Sequence, residues 1–187
     1  MPPTGQIVIL NGAPRSGKSS IAEAMVGWEN LGVDRWMREH TPEEFRPGIG
    51  LRPGGERPDL ESFIQESFRD FYKWIGDAAR SGQNVVVDIG FHRWYSQPFD
   101  PLSGALRAWA DLPVLVVGVR CPIETIMARR NAGGDDYAKG TADVPIPAPV
   151  QRWQDAVHEG KAYDLEVDTS VLTPQECVAL ILAELAG

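Results

Sequence analysis

The stretch Gly12-Ala13-Pro14-Arg15-Ser16-Gly17-Lys18-Ser19 obeys the pattern G-x-x-x-x-G-K-[ST], and no other segment constrains the fold as strongly. That spacing builds a phosphate cradle. Its two glycines let the backbone turn tightly, successive N–H groups converge on one point, and the following helix adds its positive end. Lys18 supplies a mobile cation and Ser19 a hydroxyl suited to Mg²⁺. The flanks agree. Gln6-Ile7-Val8-Ile9-Leu10 is a short apolar, β-branched run of the kind a buried parallel strand uses, and the residues from Ser19 onward place Ile21, Ala22, Met25 and Val26 on one helical face. A glycine-rich turn that merely contains Lys and Ser needs neither flank.

Composition narrows the functions open to such a chain. With 187 residues it suits one domain, 1–187, able to bury roughly 70% of its unfolded surface. The formal net charge of −8 argues against nucleic-acid or anionic-membrane partners, so any phosphate must be held by local geometry. The start, Met1-Pro2-Pro3-Thr4-Gly5, has no basic segment, and the apolar run after it is too short for a signal peptide or a spanning helix. A cytoplasmic protein is expected, and assembly of identical chains stays open. Cys121 and Cys177 lack metal-like spacing and read as buried, reduced thiols.

Further along, Leu31-Gly32-Val33-Asp34 delivers a carboxylate where small P-loop kinases end their second strand and face the acceptor. Asp34 is therefore a candidate general base, the plain alternative being a cap for the helix containing Trp36 and Met37. Residues 42–58 are too rich in Pro and Gly for a regular element and read as a long loop carrying Arg46, Arg52 and Arg57. From residue 59 to 78, Leu60, Phe63, Ile64, Ser67, Phe68, Phe71, Trp74, Ile75 and Ala78 form a long amphipathic helix whose first turns could wall an acceptor pocket.

Asn84-Val85-Val86-Val87-Asp88 is a second buried strand ending in an acid, the arrangement that holds Mg²⁺ directly or through water or that orients the acceptor. His92 follows it and reads equally as a surface residue or a contact. A third strand covers 113–119, and Pro122 opens a helix ending in Ala128-Arg129-Arg130-Asn131 before Ala132-Gly133-Gly134-Asp135-Asp136. The arginine pair reads as a short lid that brings Arg129 or Arg130 onto a transferring phosphoryl group, or as dipole compensation at a helix end. Residues 144–149 are expected to be neither helix nor central strand; a helix at 150–157, a strand at 165–170 and a helix at 174–185 complete the chain.

The pieces compose a three-layer α/β fold of the P-loop kinase type, with a mostly parallel five-stranded sheet. The sequence resembles the chloramphenicol phosphotransferase family of small-molecule kinases. The resembling residues are Ile9-Leu10-Asn11-Gly12 with Gly17-Lys18-Ser19, Gly32-Val33-Asp34, Val87-Asp88, Val117-Gly118-Val119-Arg120-Cys121, and His158-Glu159-Gly160 with Tyr163-Asp164-Leu165-Glu166-Val167-Asp168-Thr169.

The resemblance implies ATP-dependent transfer of the γ-phosphoryl group to a hydroxyl of an antibiotic-like acceptor, with Asp34 as the base. Two family lid arginines fall here on Gly133 and Asp136, leaving Arg129 as the clear match, and the 46–58 segment is unlike the family's. The expected site is Gly12, Ala13, Pro14, Arg15, Ser16, Gly17, Lys18, Ser19 and Ser20 for ATP, Ser19 and Asp88 for Mg²⁺, and Asp34, Lys18 and Arg129 for catalysis. A sugar, nucleoside or other metabolite kinase, or a nucleotide-binding regulatory or toxin–antitoxin protein without turnover, remain alternatives. The joint presence of Lys18, Ser19, Asp34, Asp88 and Arg129 speaks against the last, since pure binding needs no base.

Overall fold

The computed structural model describes residues 3–46, 58–133 and 139–187. Residues 47–57 of the loop expected at 42–58, with Arg52 and Arg57, and the 134–136 portion of the expected lid, with Asp136, lie outside them, and at the start of that loop Glu43–Phe45 form one 3-10 turn where no regular element was expected. Three apolar runs become strands where their side chains leave water on both faces, β1 (Ile7–Asn11), β3 (Val85–Ile89) and β4 (Val114–Arg120), while β5 (Leu165–Asp168) alternates, burying Val167 and exposing Glu166. The edge strand β2 is only Glu29–Asn30. All pairs are parallel in the order β2-β3-β1-β4-β5, so β1 lies at the centre and its last residue, Asn11, is level with Ile89 and Gly118.

Alternation along β1 sends Ile7 and Ile9 to one face and Val8 and Leu10 to the other, all fully buried. The first pair meets Phe71 and Ile75 of α3 (Glu61–Arg80) and Ala105 of α4 (Pro101–Ala108). The second meets Ile21 of α1 (Lys18–Ala24) and Cys177 and Ile181 of α7 (Pro174–Ala186). The remaining helices, α2 (Val33–His40), α5 (Ile123–Asn131) and α6 (Ala148–Ala156), stand around the carboxyl ends of the strands. Both cysteines are free and buried. No helix among the described residues is long and apolar enough to cross a membrane.

Several local expectations need correction. Asp34 lies in the first turn of α2, not on a strand, because Asn30 Oδ1 accepts the Gly32 N–H at 3.0 Å and turns the chain out of the sheet. Val26 does not share the buried face of α1: the helix ends at Ala24, Met25 leaves helical dihedrals, and Val26 is 93% exposed. Ala148 and Pro149 belong to the first turn of α6, where proline's missing N–H is no loss. The lysine of the cradle is also less superficial than its role suggests, since Lys18 is buried.

Candidate active site

The loop between β1 and α1 is pinned before it turns. Asn11 donates from Nδ2 to Val157 O at 2.8 Å and to the Tyr163 hydroxyl at 2.9 Å, while its Oδ1 accepts the Phe91 N–H at 2.7 Å. One fully buried amide thus ties the loop's origin to the segments after β3 and α6. Gly17, at φ 99°, adopts a backbone that side chains avoid and opens α1; Arg15 does the same at φ 71° without being glycine. Thr169, just beyond β5, donates from Oγ1 to Ser16 O at 2.5 Å and fastens the loop's other side.

Lys18 and Ser19 then meet a carboxylate. Lys18 Nζ donates to Ala13 O at 2.9 Å and lies 3.6 Å from Asp88 Oδ1, and Ser19 Oγ donates to Asp88 Oδ2 at 2.6 Å. Asp88 is presented from β3 level with Leu10, directly beside the loop. Asp34 faces the same group from α2. Its carboxylate is open to the cleft, yet the walls exclude enough water to raise its pKa; the Asp88 charge raises it further, and Lys18 and Arg38 oppose both. Asp34 caps nothing, for Gly32 is the N-cap of α2 and no side chain caps that end.

These residues line one cleft of about 920 Å³. Its far wall is aromatic: Trp36, Phe63, Phe68, Phe71 and Tyr95. Trp36 is held by its indole N–H on Ser67 Oγ at 2.9 Å, and Tyr95 stacks on His92 with ring centroids 4.4 Å apart. His92 is a buried wall residue, not a surface one. Its Nδ1 accepts the Trp94 N–H, and burial first, then Lys161, lowers its pKa to about 4. The buried carboxylate of Glu61 accepts from Ser96 N through both oxygens, at 2.8 and 3.0 Å, and fixes the end of this loop.

The arginine pair is placed differently from a free-standing lid. Arg129 donates to Thr169 O at 2.7 Å, Thr169 Oγ1 at 3.1 Å, Arg15 O at 3.2 Å and Cys121 Sγ at 3.4 Å, bracing the phosphate loop against β5. Arg130 is 2% exposed. Both line the cleft, as do Gly12, Pro14, Arg15, Gly17, Lys18, Ser19, Ser20, Asp34 and Asp88, whereas Ala13 and Ser16 support the loop from behind. Asn11, Glu61, Tyr163 and Thr169 had no assigned role in the sequence. Tyr163 and Thr169 belong to the particular string 163–169, the one signal that pointed toward them.

Residues 5–186 match the family model described as chloramphenicol phosphotransferase-like protein, and the chain belongs to that family. A Mycobacterium tuberculosis protein named provisionally as an O-phosphotransferase is 26% identical over 93% of this chain and 79% of its own length. Among solved structures, the APS kinase of M. tuberculosis in complex with AMPPNP and APS superimposes with a TM-score of 0.70 at 20% identity, covering 100% of both chains. A sugar kinase from Janibacter gives 0.63 at 18% identity, covering 98% of this chain and 95% of its own. The five-stranded parallel sheet with its flanking helices is thus the fold of the P-loop kinases.

Proposed function

We propose that this member of the chloramphenicol phosphotransferase-like family, a phosphotransferase of the P-loop kinase fold, moves the γ-phosphoryl group of ATP to a hydroxyl of a small apolar or aromatic molecule. The observation that carries this reading is the shared cleft, in which the phosphate loop and the Asp34 carboxylate face an aromatic wall. A protein that only stores nucleotide has no use for a carboxylate there.

Residues 12–20 hold the phosphates, with Lys18 neutralising charge that grows on the transferring group. The residues beside it suit Mg²⁺: Ser19 Oγ and Asp88 Oδ2 are hard oxygens 2.6 Å apart. No trio of His, Cys, Asp or Glu gathers among the described residues, so a cation held here would complete its shell with water and phosphate oxygens, as Mg²⁺ does. When bound, Mg²⁺ supplies charge neutralisation between phosphates. Asp34 takes the proton of the acceptor hydroxyl as its oxygen bonds to phosphorus and the bond to ADP breaks. The raised pKa makes Asp34 a stronger base than an ordinary aspartate.

The aromatic wall supports an acceptor with a flat or apolar body, an antibiotic-type molecule more than a bare sugar. The test is ADP release with MgATP and a panel of hydroxylated compounds, chloramphenicol first, then aromatic alcohols, sugars and nucleosides. Release with an aromatic alcohol and not with sugars supports the reading. Turnover of sugars alone replaces the acceptor assignment, and absence of turnover with every compound removes the kinase reading.

A further inference from the structure

The cleft contains an arginine whose backbone and surroundings set it apart from the rest of the phosphate loop. Arg15 is the one non-glycine residue with positive φ among the described residues, at 71°. Glycine takes that conformation without penalty and arginine does not, so a side chain retained there has a use that outweighs the strain. Its guanidinium reaches the last turn of α5, where Nη2 donates to Arg129 O at 3.3 Å. Beyond that turn stands Gly133, and a Cβ built on Gly133 would lie 2.0 Å from the same Nη2. The Arg15 fork therefore fills the space that any side chain at position 133 would enter.

The neighbouring arginines are placed differently. Both terminal nitrogens of Arg129 are given to Thr169, Arg15 O and Cys121, and Arg130 is 2% exposed. We propose that Arg15, carried on the phosphate loop itself, is the arginine that contacts the transferring phosphoryl group, with Gly133 left bare to make room for it and Arg129 acting as the brace that positions it. The inference rests on the phosphotransferase reading above. A planar fork on the loop answers the charge spread over the phosphoryl oxygens opposite Lys18, and it makes or breaks no bond itself.

The experiment is a calorimetric titration of wild type and variants with MgATP and MgADP, which needs no acceptor. Wild type binds ATP more tightly than ADP. Arg15→Ala loses about tenfold or more in ATP affinity and less than about threefold in ADP affinity, since only ATP carries the γ-phosphate. Arg15→Gly loses the same preference with a melting temperature equal to or above wild type, because φ 71° suits glycine. Arg15→Gly combined with Gly133→Arg regains part of the ATP preference, and Arg129→Ala lowers the melting temperature.

Arg15→Ala with wild-type affinity for both nucleotides overturns the inference and leaves the kinase reading standing. So does an equal loss for ATP and ADP, which assigns Arg15 to the shared phosphates or the loop's shape. Wild type that binds neither nucleotide overturns both.

Discussion

Ser19 Oγ donates to Asp88 Oδ2 across 2.6 Å, joining the first turn of α1 to the end of β3, and the other oxygen of the same carboxylate faces Lys18 Nζ at 3.6 Å. One carboxylate thus sets the electrostatics of the cleft, and Asp34 feels it. Burial and then the charge of Asp88 raise the Asp34 pKa. Neutralising Asp88 removes a like charge, so Asp88→Asn moves the Asp34 titration to lower pH, toward the ordinary 3.8. Carbon-13 titration of the labelled carboxylates checks this without turnover. An Asp34 midpoint that stays put or rises in Asp88→Asn removes the coupling.

Thr169 sends Oγ1 to Ser16 O and takes Nη1 of Arg129 at 3.1 Å, so one hydroxyl closes the phosphate loop against β5. Thr169→Val preserves the shape and deletes both contacts. Leaving Ser16 O and Arg129 short of a partner costs about 1–3 kcal/mol of stability. ATP affinity falls along with stability, because the loop loses its brace. Chemical denaturation and a MgATP titration check the two effects, and unchanged values for both would show the contact to be dispensable.

How far the fold was legible follows from where its information lies. β1, β3 and β4 are buried on both faces and announce themselves as unbroken apolar runs. β2 is two polar residues, Glu29–Asn30, whose strand character comes only from lying beside Val85 and Val86, so nothing local marks it. Asp34 stood out in the sequence as a candidate carboxylate and lines the cleft, but its place on α2 depends on the Asn30 turn. Asn11, Glu61 and Thr169 act through contacts to residues distant in sequence; Asn11, for instance, holds a carbonyl 146 residues away. Such bonds have no periodicity to read. The aromatic wall was half visible: the stripe on α3 was plain, whereas its completion by Trp36 and Tyr95 comes from other elements.

Two histidines make the fold sensitive to acid. His92 and His158 are each lowered to about 4, burial being the first cause, followed by Lys161 for His92 and Arg120 for His158. The unfolded chain takes up these protons near 6.5, before the folded one does. Stability is therefore whole above pH 6.5 and falls as pH drops toward 4, by on the order of 3 kcal/mol for the buried His92. His92→Phe keeps a ring against Tyr95 and removes that proton. Denaturation at pH 7.5 and 4.5 shows a smaller acid loss in the variant; an equal loss assigns the sensitivity elsewhere.

Asp34 separates a kinase from a nucleotide store. It sits inside the first turn of α2, where its charge favours the helix by under ~1 kcal/mol, and it makes no cap that Asn would have to replace. Asp34→Asn therefore keeps the side chain's shape and leaves the melting temperature close to wild type. It also removes a negative charge that faces Asp88 and the phosphate loop, so MgATP binds as well as before or somewhat better. The amide cannot accept the acceptor's proton, and the transfer rate falls about 10²-fold or more. ATP affinity, melting temperature and transfer rate measured on the one variant discriminate cleanly. Lost transfer with the other two intact identifies the base, whereas preserved transfer means that the acceptor hydroxyl loses its proton elsewhere and that Asp34 serves only the charge balance of the cleft.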